Sequence, residues 1–286
     1  MVEPKVWFGS SVGLGRAVVE HVLSQGSKVV ATCRKTSDLD DLVAKYPPSQ
    51  LVVARLDVTI ASEIAAAFAR AIEAFGRVDV VYNNAGFLTI AEIEGTTDER
   101  ARSIFEVNFW GAANVSREAV RVFRDVNSPP GGRLLQASSQ GGVQAVPVVG
   151  YYCATKFALE GLSECLQDEV HPSWNIKITL LQLGSFTTRI FNPATESLVV
   201  LPPHPAYDQP DNKARLSREW FEPGRQTHCD PCKAAREIYN IAGDSDVGLR
   251  VVVGQDALAT ARRKLKELQE YIQNSEQFCR DLECDA

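Results

Sequence analysis

The 286-residue chain is predicted to fold as one α/β domain, a doubly wound, mostly parallel sheet of about seven strands with helices on both faces. Three observations carry that expectation. Short β-rich runs alternate with helix-period segments from end to end. Several of those runs are continuously apolar, as strands covered on both faces are. A glycine-rich turn, "GSSVGLG" at 9–15, joins the first run to the first helical segment.

The strands are expected at 5–8 (KVWF), 28–33 (KVVATC), 51–58 (LVVARLDV), 78–85 (VDVVYNNA), 132–139 (GRLLQASS), 176–183 (IKITLLQL) and 249–253 (LRVVV). Between them, "ASEIAAAFARAIEAFG" puts Ile64, Phe68, Ile72 and Phe75 on one stripe, with Gly76 as its stop. The segment 98–126 is long enough for a helix that bends near Gly111, and a second long helix follows at 150–170. Residues 191–231 break the rhythm with seven prolines, and an irregular insertion of that length is expected to cover a binding site. Asp230-Pro231 then reads as a cap and first position of a helix. Residues 255–286 read as a charged terminal helix whose Leu265, Leu268 and Ile272 should pack on the domain edge.

Composition narrows the function classes. With 45% hydrophobic and 23% charged residues the chain is an ordinary soluble globular protein, and a net charge of −6 argues against a nucleic-acid surface. No run reaches the ~18 apolar residues of a membrane helix. The start lacks a basic stretch followed by a long apolar one, so the cytoplasm is expected. Seven scattered cysteines suit free thiols in a reducing compartment. "HCDPC", with His228, Cys229 and Cys232, lacks the further ligands that zinc needs, so no metal is expected.

Two patterns point to chemistry. Gly9, Gly13 and Gly15 have the spacing of a turn that lets backbone approach a pyrophosphate at a helix N-terminus, although such turns also arise for packing. Tyr152 and Lys156, four residues apart, share one helix face, where an ammonium would favour the phenolate and bring proton exchange towards neutral pH. Ser139 lies 13 residues upstream at the end of a strand, the edge where open α/β sheets bind ligands. A surface tyrosine beside a solvated lysine is the bland alternative.

These stretches, taken in order, resemble the short-chain dehydrogenase/reductase superfamily, classical type, a Rossmann-type fold. The matches are "GSSVGLG" (9–15), "LDV" (56–58), "NNAG" (83–86), "VNFWG" (107–111), "ASS" (137–139) and "YCATK" (152–156), and the resemblance covers about residues 5–190. It implies a catalytic tetrad in which Tyr152 gives the proton and Ser139 holds the substrate oxygen. Lys156 would bind the nicotinamide ribose, and Asn108 would hold a water linking Lys156 to solvent. Cofactor contacts are implied at Gly9, Ser11, Gly13, Leu14, Gly15, Arg34, Asp57, Asn84, Gly86 and Thr188, besides Tyr152 and Lys156. Asn83 is better placed to tie the sheet together. The resemblance also implies a homodimer or homotetramer through the helices that hold Asn108 and Tyr152.

Cofactor choice is legible after the second strand. Cys33 stands where a carboxylate would grip an adenosine 2′-hydroxyl, and Arg34 and Lys35 follow, which favours the 2′-phosphate of NADP over NAD. Three departures from the family stand out. The first strand is about two residues short before Gly9, Leu183 replaces a proline before Gly184, and Gln136 replaces an asparagine. The shortened strand is expected to reach its turn by sliding residues 2–8 along the sheet. Two function classes remain open: an NADPH-dependent reductase of a hydrophobic ketone or aldehyde (or the reverse oxidation), and a cofactor-binding regulator or scaffold without turnover.

Overall fold

A computed structural model describes residues 5–10, 13–188, 198–222, 229–280 and 282. Its main sheet contains β1 (Val6–Ser10), β2 (Lys28–Cys33), β3 (Leu51–Arg55), β4 (Val80–Asn83), β6 (Gly132–Ala137), β7 (Ile176–Leu183) and β9 (Arg250–Val253). The order is β3-β2-β1-β4-β6-β7-β9, with every pair parallel. These are the seven strands read from the sequence, two of them with both ends as expected and the others with ends moved by up to three residues. A second, two-stranded parallel sheet pairs β5 (Leu88–Ile90) with β8 (Leu198–Val200).

Helices cover both faces: α1 (Leu14–Ser24), α2 (Asp40–Lys45), α3 (Ala61–Phe75), α4 (Asp98–Phe105), α5 (Ala112–Arg121), α6 (Gly150–Glu169), α7 (Lys213–Trp220), α8 (Pro231–Gly243) and α9 (Gln255–Ser275). Alternation along β1 shows how the sheet feeds two cores. Trp7 joins the core beneath α1 and α8 and stacks on Tyr239 with ring centroids 5.6 Å apart. Phe8 joins the opposite core beneath α3 and α5 and stacks on Phe68 at 4.2 Å. Full burial of a side chain such as Phe8 contributes about 1.5–3 kcal/mol.

The short first strand is accommodated differently from the sequence expectation. Residues 5–8 do not slide. Instead Gly9 and Ser10 are drawn into β1, where Gly9 pairs with Ala31 and Tyr82 and Ser10 with Thr32. Ladder bonds to both neighbours outweigh keeping a long turn, and Thr32 Oγ1 adds a bond to the Gly9 carbonyl at 3.0 Å. A Cβ on Gly9 would stand 3.1 Å from the Tyr82 carbonyl oxygen and 3.3 Å from Tyr82 Cβ, so glycine suits this crowded place.

The long helix of 98–126 runs as α4, a π-helical turn at Glu106–Gly111, α5 and a second such turn at Val122–Val126. Gly111 ends the first wide turn, where an added Cβ would meet Val58 Cγ2 at 2.6 Å. Asp230 caps α8 by accepting from the Cys232 amide at 2.7 Å, with Pro231 at the first position, as the sequence predicts. Of the expected insertion, β8, α7 and the loops beside them are described; 191–197 and 223–228, His228 included, lie outside the described residues. The α9 expectation needs correcting. Leu268 is half-buried as expected, but Leu265 and Ile272 are 57% and 54% exposed, and the helix makes its side-chain bonds to the rest of the domain through a polar face.

Candidate active site

The strand order reverses between β1 and β4, and ligands of open α/β sheets lie outside the C-terminal strand ends at such a point. Here a cleft of about 520 Å³ opens there. Gly13, Leu14, Asn84, Gly86, Ser139, Tyr152, Lys156 and Thr188 all line it, so eight of the residues singled out in the sequence converge on one space. Gly13 adopts φ 57° and ψ −126°, a conformation open to glycine and costly for other residues, and it starts α1 beneath the cleft. Ser11 lies outside the described residues. Gly9, inside β1, does not line the cleft, and neither does Gly15, buried in α1.

Ser139 follows β6, and its hydroxyl accepts from the Gly141 amide at 3.0 Å, which fixes it over the cleft. Tyr152 and Lys156 project from the first two turns of α6. Lys156 is 5% exposed and donates to the Ala137 carbonyl at 2.7 Å, with its Nζ 5.7 Å from the Tyr152 ring centroid. Burial pushes Lys156 down to about 8, opposed by the Glu160 carboxylate one turn on. Burial likewise pushes Tyr152 up to about 12, only partly offset by the Ser139 hydroxyl. The direction is opposite to the one expected from the Tyr152–Lys156 spacing, because desolvation of the phenolate outweighs an ammonium held at a backbone carbonyl.

Asn108 sits in the π-helical turn with no exposed surface. Its Oδ1 accepts from the Phe87 amide at 3.0 Å, and its Nδ2 donates to the Phe87 carbonyl at 2.9 Å. The side chain is thus committed to the backbone behind Gly86, where an added Cβ would come within 3.2 Å of Asn108 Oδ1 and 3.8 Å of Lys156 Nζ. Asn83 ties the sheet to its helix layer: Nδ2 donates to the Ala112 carbonyl at 2.9 Å and to Gln136 Oε1 at 2.8 Å. Gln136 in turn donates to Ser116 at 2.7 Å, so the longer amide at 136 completes a buried network.

Arg34 and Asp57 occupy the opposite end, beyond β2 and β3, outside the cleft lining. Asp57 Oδ1 accepts from the Thr59 amide at 3.0 Å and hydroxyl at 2.7 Å, and Arg34 is near enough to help hold its pKa below the usual carboxylate range. Cys33 is buried, with its thiol 3.3 Å from the Lys35 carbonyl, so no acid stands at the end of β2.

Several walls of the cleft escaped the sequence reading. Val146, Pro147 and Val149 come from the loop before α6, and Phe186 from the segment after β7. Trp220 and Phe221 close it from the end of α7, inside the insertion at 191–231 that the sequence was expected to lay over a binding site. Glu92, after β5, anchors that wall through both oxygens to Arg218 on α7, at 2.6 and 2.5 Å. Gln144, Thr260 and Arg263 complete the far side. The spacing 256, 260, 263, 267 on α9, all polar, was the available signal.

Residues 6–198 match the short chain dehydrogenase family model. An uncharacterized oxidoreductase of Schizosaccharomyces pombe is 37% identical over 267 residues, covering 93% of this chain and 87% of that one. A short-chain dehydrogenase of Streptomyces avermitilis superposes with TM-score 0.88 at 33% identity, covering 99% of this chain and all of the other. The fold is shared with a Burkholderia phymatum short-chain dehydrogenase/reductase solved with NAD (22% identity, TM-score 0.76, 94% and 95% covered). It is shared too with a Burkholderia cenocepacia short-chain dehydrogenase solved with NADP (20%, TM-score 0.73, 96% and 98% covered). By its match to the family model over two thirds of its length and by its relatives, the chain belongs to the short-chain dehydrogenase/reductase family of oxidoreductases.

Proposed function

We propose that the protein is an NADP-dependent reductase of a carbonyl compound with an apolar body, or the corresponding alcohol dehydrogenase. The observation that carries this reading is the meeting of Ser139, Tyr152 and Lys156 in one cleft, and burial, which raises the Tyr152 pKa, favours the neutral phenol there. A neutral phenol is the form that can give a proton to a nascent alkoxide. In this reading Ser139 orients the substrate oxygen and Tyr152 donates to it. Lys156 holds the ribose hydroxyls and supplies positive charge beside the phenol, and Asn108 keeps Gly86 open behind them. The cofactor, when bound, supplies the hydride.

The residues present fit a nicotinamide nucleotide at the catalytic end. Gly13 and Gly86 leave room for one along the cleft, and no carboxylate lines that wall among the described residues. Arg34 beside Asp57, with Cys33 in place of an acid, supports NADP. Val146, Pro147, Phe186, Trp220 and Phe221 support an apolar ketone or aldehyde. Trp110 and Phe157, 52% and 43% exposed on the helices that carry Asn108 and Tyr152, support assembly into a homodimer or homotetramer.

One observation favours the rival reading of a binding protein without turnover. Gly9, which the resemblance places in the phosphate-binding turn, lies inside β1 instead and does not line the cleft. Purified protein titrated with NADPH by fluorescence, then assayed on a carbonyl panel beside Tyr152→Phe, separates the two. Turnover that drops at least about a hundredfold in the variant, with NADPH binding kept, supports the enzyme. Turnover within a few-fold of the parent removes Tyr152 from the mechanism, and binding without any turnover supports the rival.

A further inference from the structure

Charge in the cleft has one sign. Lys156 and Arg263 line it, and no aspartate or glutamate does among the described residues, in a chain with 36 acidic and 30 basic side chains. Lys156 is engaged at the Ala137 carbonyl. Arg263 is placed by an unusual piece of construction. Asp256, Thr260, Arg263 and Glu267 share one face of α9 and meet the loop that follows Ser139. Asp256 Oδ2 accepts from the Ser185 amide at 2.7 Å and from Gln140 Nε2 at 3.1 Å. Thr260 donates to Gln140 Oε1 at 3.0 Å.

One turn on, both ends of the Gln144 amide are engaged. Its Nε2 donates to Glu267 Oε1 at 3.0 Å, and its Oε1 accepts from Arg263 Nε at 2.8 Å. That single bond engages the exposed guanidinium by its inner nitrogen and leaves both Nη groups without a hydrogen-bond acceptor among the described residues. The neighbouring carboxylate on the same face, Glu267, is already held by Gln144 and by Lys264 at 3.4 Å. A planar fork held at its inner nitrogen, with its outer edge open, matches a carboxylate in two parallel bonds. Apolar side chains, Val146, Pro147, Phe186 and Trp220, line the same cleft.

We propose that the substrate carries a carboxylate at the far end of an apolar body from its reacting carbonyl, and that Arg263 is the residue that selects it. The carbonyl half rests on the function proposed above; the carboxylate half stands on Arg263 alone. The competing anion for this arginine is a phosphate of the cofactor.

The test is calorimetry on the full chain, with and without NADPH, using 4-benzoylbutanoate and its methyl ester. The parent protein should bind the acid at least about tenfold more tightly than the ester, the scale of a charge-assisted hydrogen bond. Arg263→Gln should bring the two to parity, Arg263→Lys should keep part of the preference, and NADPH affinity should stay within about twofold throughout. Equal binding of acid and ester by the parent overturns the proposal, as does a preference that survives Arg263→Gln. A matching fall in NADPH affinity overturns it by assigning Arg263 to the cofactor phosphate. Acid preference without turnover of either compound would instead refute carbonyl reduction and leave the assignment of Arg263 standing.

Discussion

Replacing Glu92 by Gln tests how the apolar wall of the cleft is held. Glu92 and Arg218 have side chains 3% and 13% exposed, and the arginine also donates to the Leu201 carbonyl at 2.9 Å. The Arg218 bonds hold the Glu92 carboxyl down at about 2, against an ordinary value of 4.5. A gap of about 2.5 pKa units corresponds to about 3 kcal/mol at neutral pH. Because the folded value lies below the unfolded one, this stability is complete above about pH 5 and is lost as pH falls towards 2. Glu92→Gln keeps the shape and removes the charge, so the melting temperature at pH 7 should fall by about 5 °C for a domain of this size. The gap between variant and parent should narrow below pH 5 and be about half as large near pH 3. Paired thermal melts at pH 7, 5, 4 and 3 measure it. A variant melting within 1 °C of the parent at pH 7, or a gap that does not change with pH, refutes the reasoning.

Three further outcomes are expected. Arg34→Asp should reverse the NADPH-to-NADH ratio of kcat/KM, since it exchanges a phosphate partner for a hydroxyl partner; an unchanged ratio shows that the preference is set elsewhere. Glu160→Gln removes the carboxylate that raises Lys156, so the alkaline limb of kcat in the reducing direction, expected near pH 8, should move to lower pH. A limb that stays in place or moves upward separates Glu160 from the lysine. Inserting Ile-Thr between Phe8 and Gly9 would put isoleucine where Gly9 packs against the Tyr82 carbonyl oxygen and Cβ, so the melting temperature should fall. NADPH should nevertheless bind more tightly to the insertion variant, and equal affinity in the two proteins would show that the short turn does not limit binding.

The seven main strands were legible because a strand buried on both faces must be apolar throughout, a local property. β5 and β8 were not. Each has three residues, and they pair across more than a hundred positions, so neither segment carries a signal alone. The fate of Gly9 was hidden for a related reason: the ladder partners Ala31 and Tyr82, not the glycine, decide whether it belongs to strand or turn. Tyr152 and Lys156 were legible from helical spacing, whereas the direction of the tyrosine pKa depends on burial, which the whole fold sets. On α9 the apolar period was the stronger pattern, yet the helix docks by its polar one. Four side chains find partners on the loop after Ser139 and on Ser185, while Leu265 and Ile272 have nothing to pack on.

That docking gives the cleft an order of assembly. A chain leaves the ribosome N-terminus first, and its earlier parts can fold while the rest is still being made. The strands β1 to β4, β6 and β7 are complete by Leu183, with Ser139, Tyr152 and Lys156 already between them. At that stage Gln140 and Gln144 still face water, because their partners at 256, 260, 263 and 267 have not been synthesised. The far side closes when α9 arrives, so a chain trimmed before residue 255 would keep Ser139, Tyr152 and Lys156 and lose the polar wall that α9 supplies.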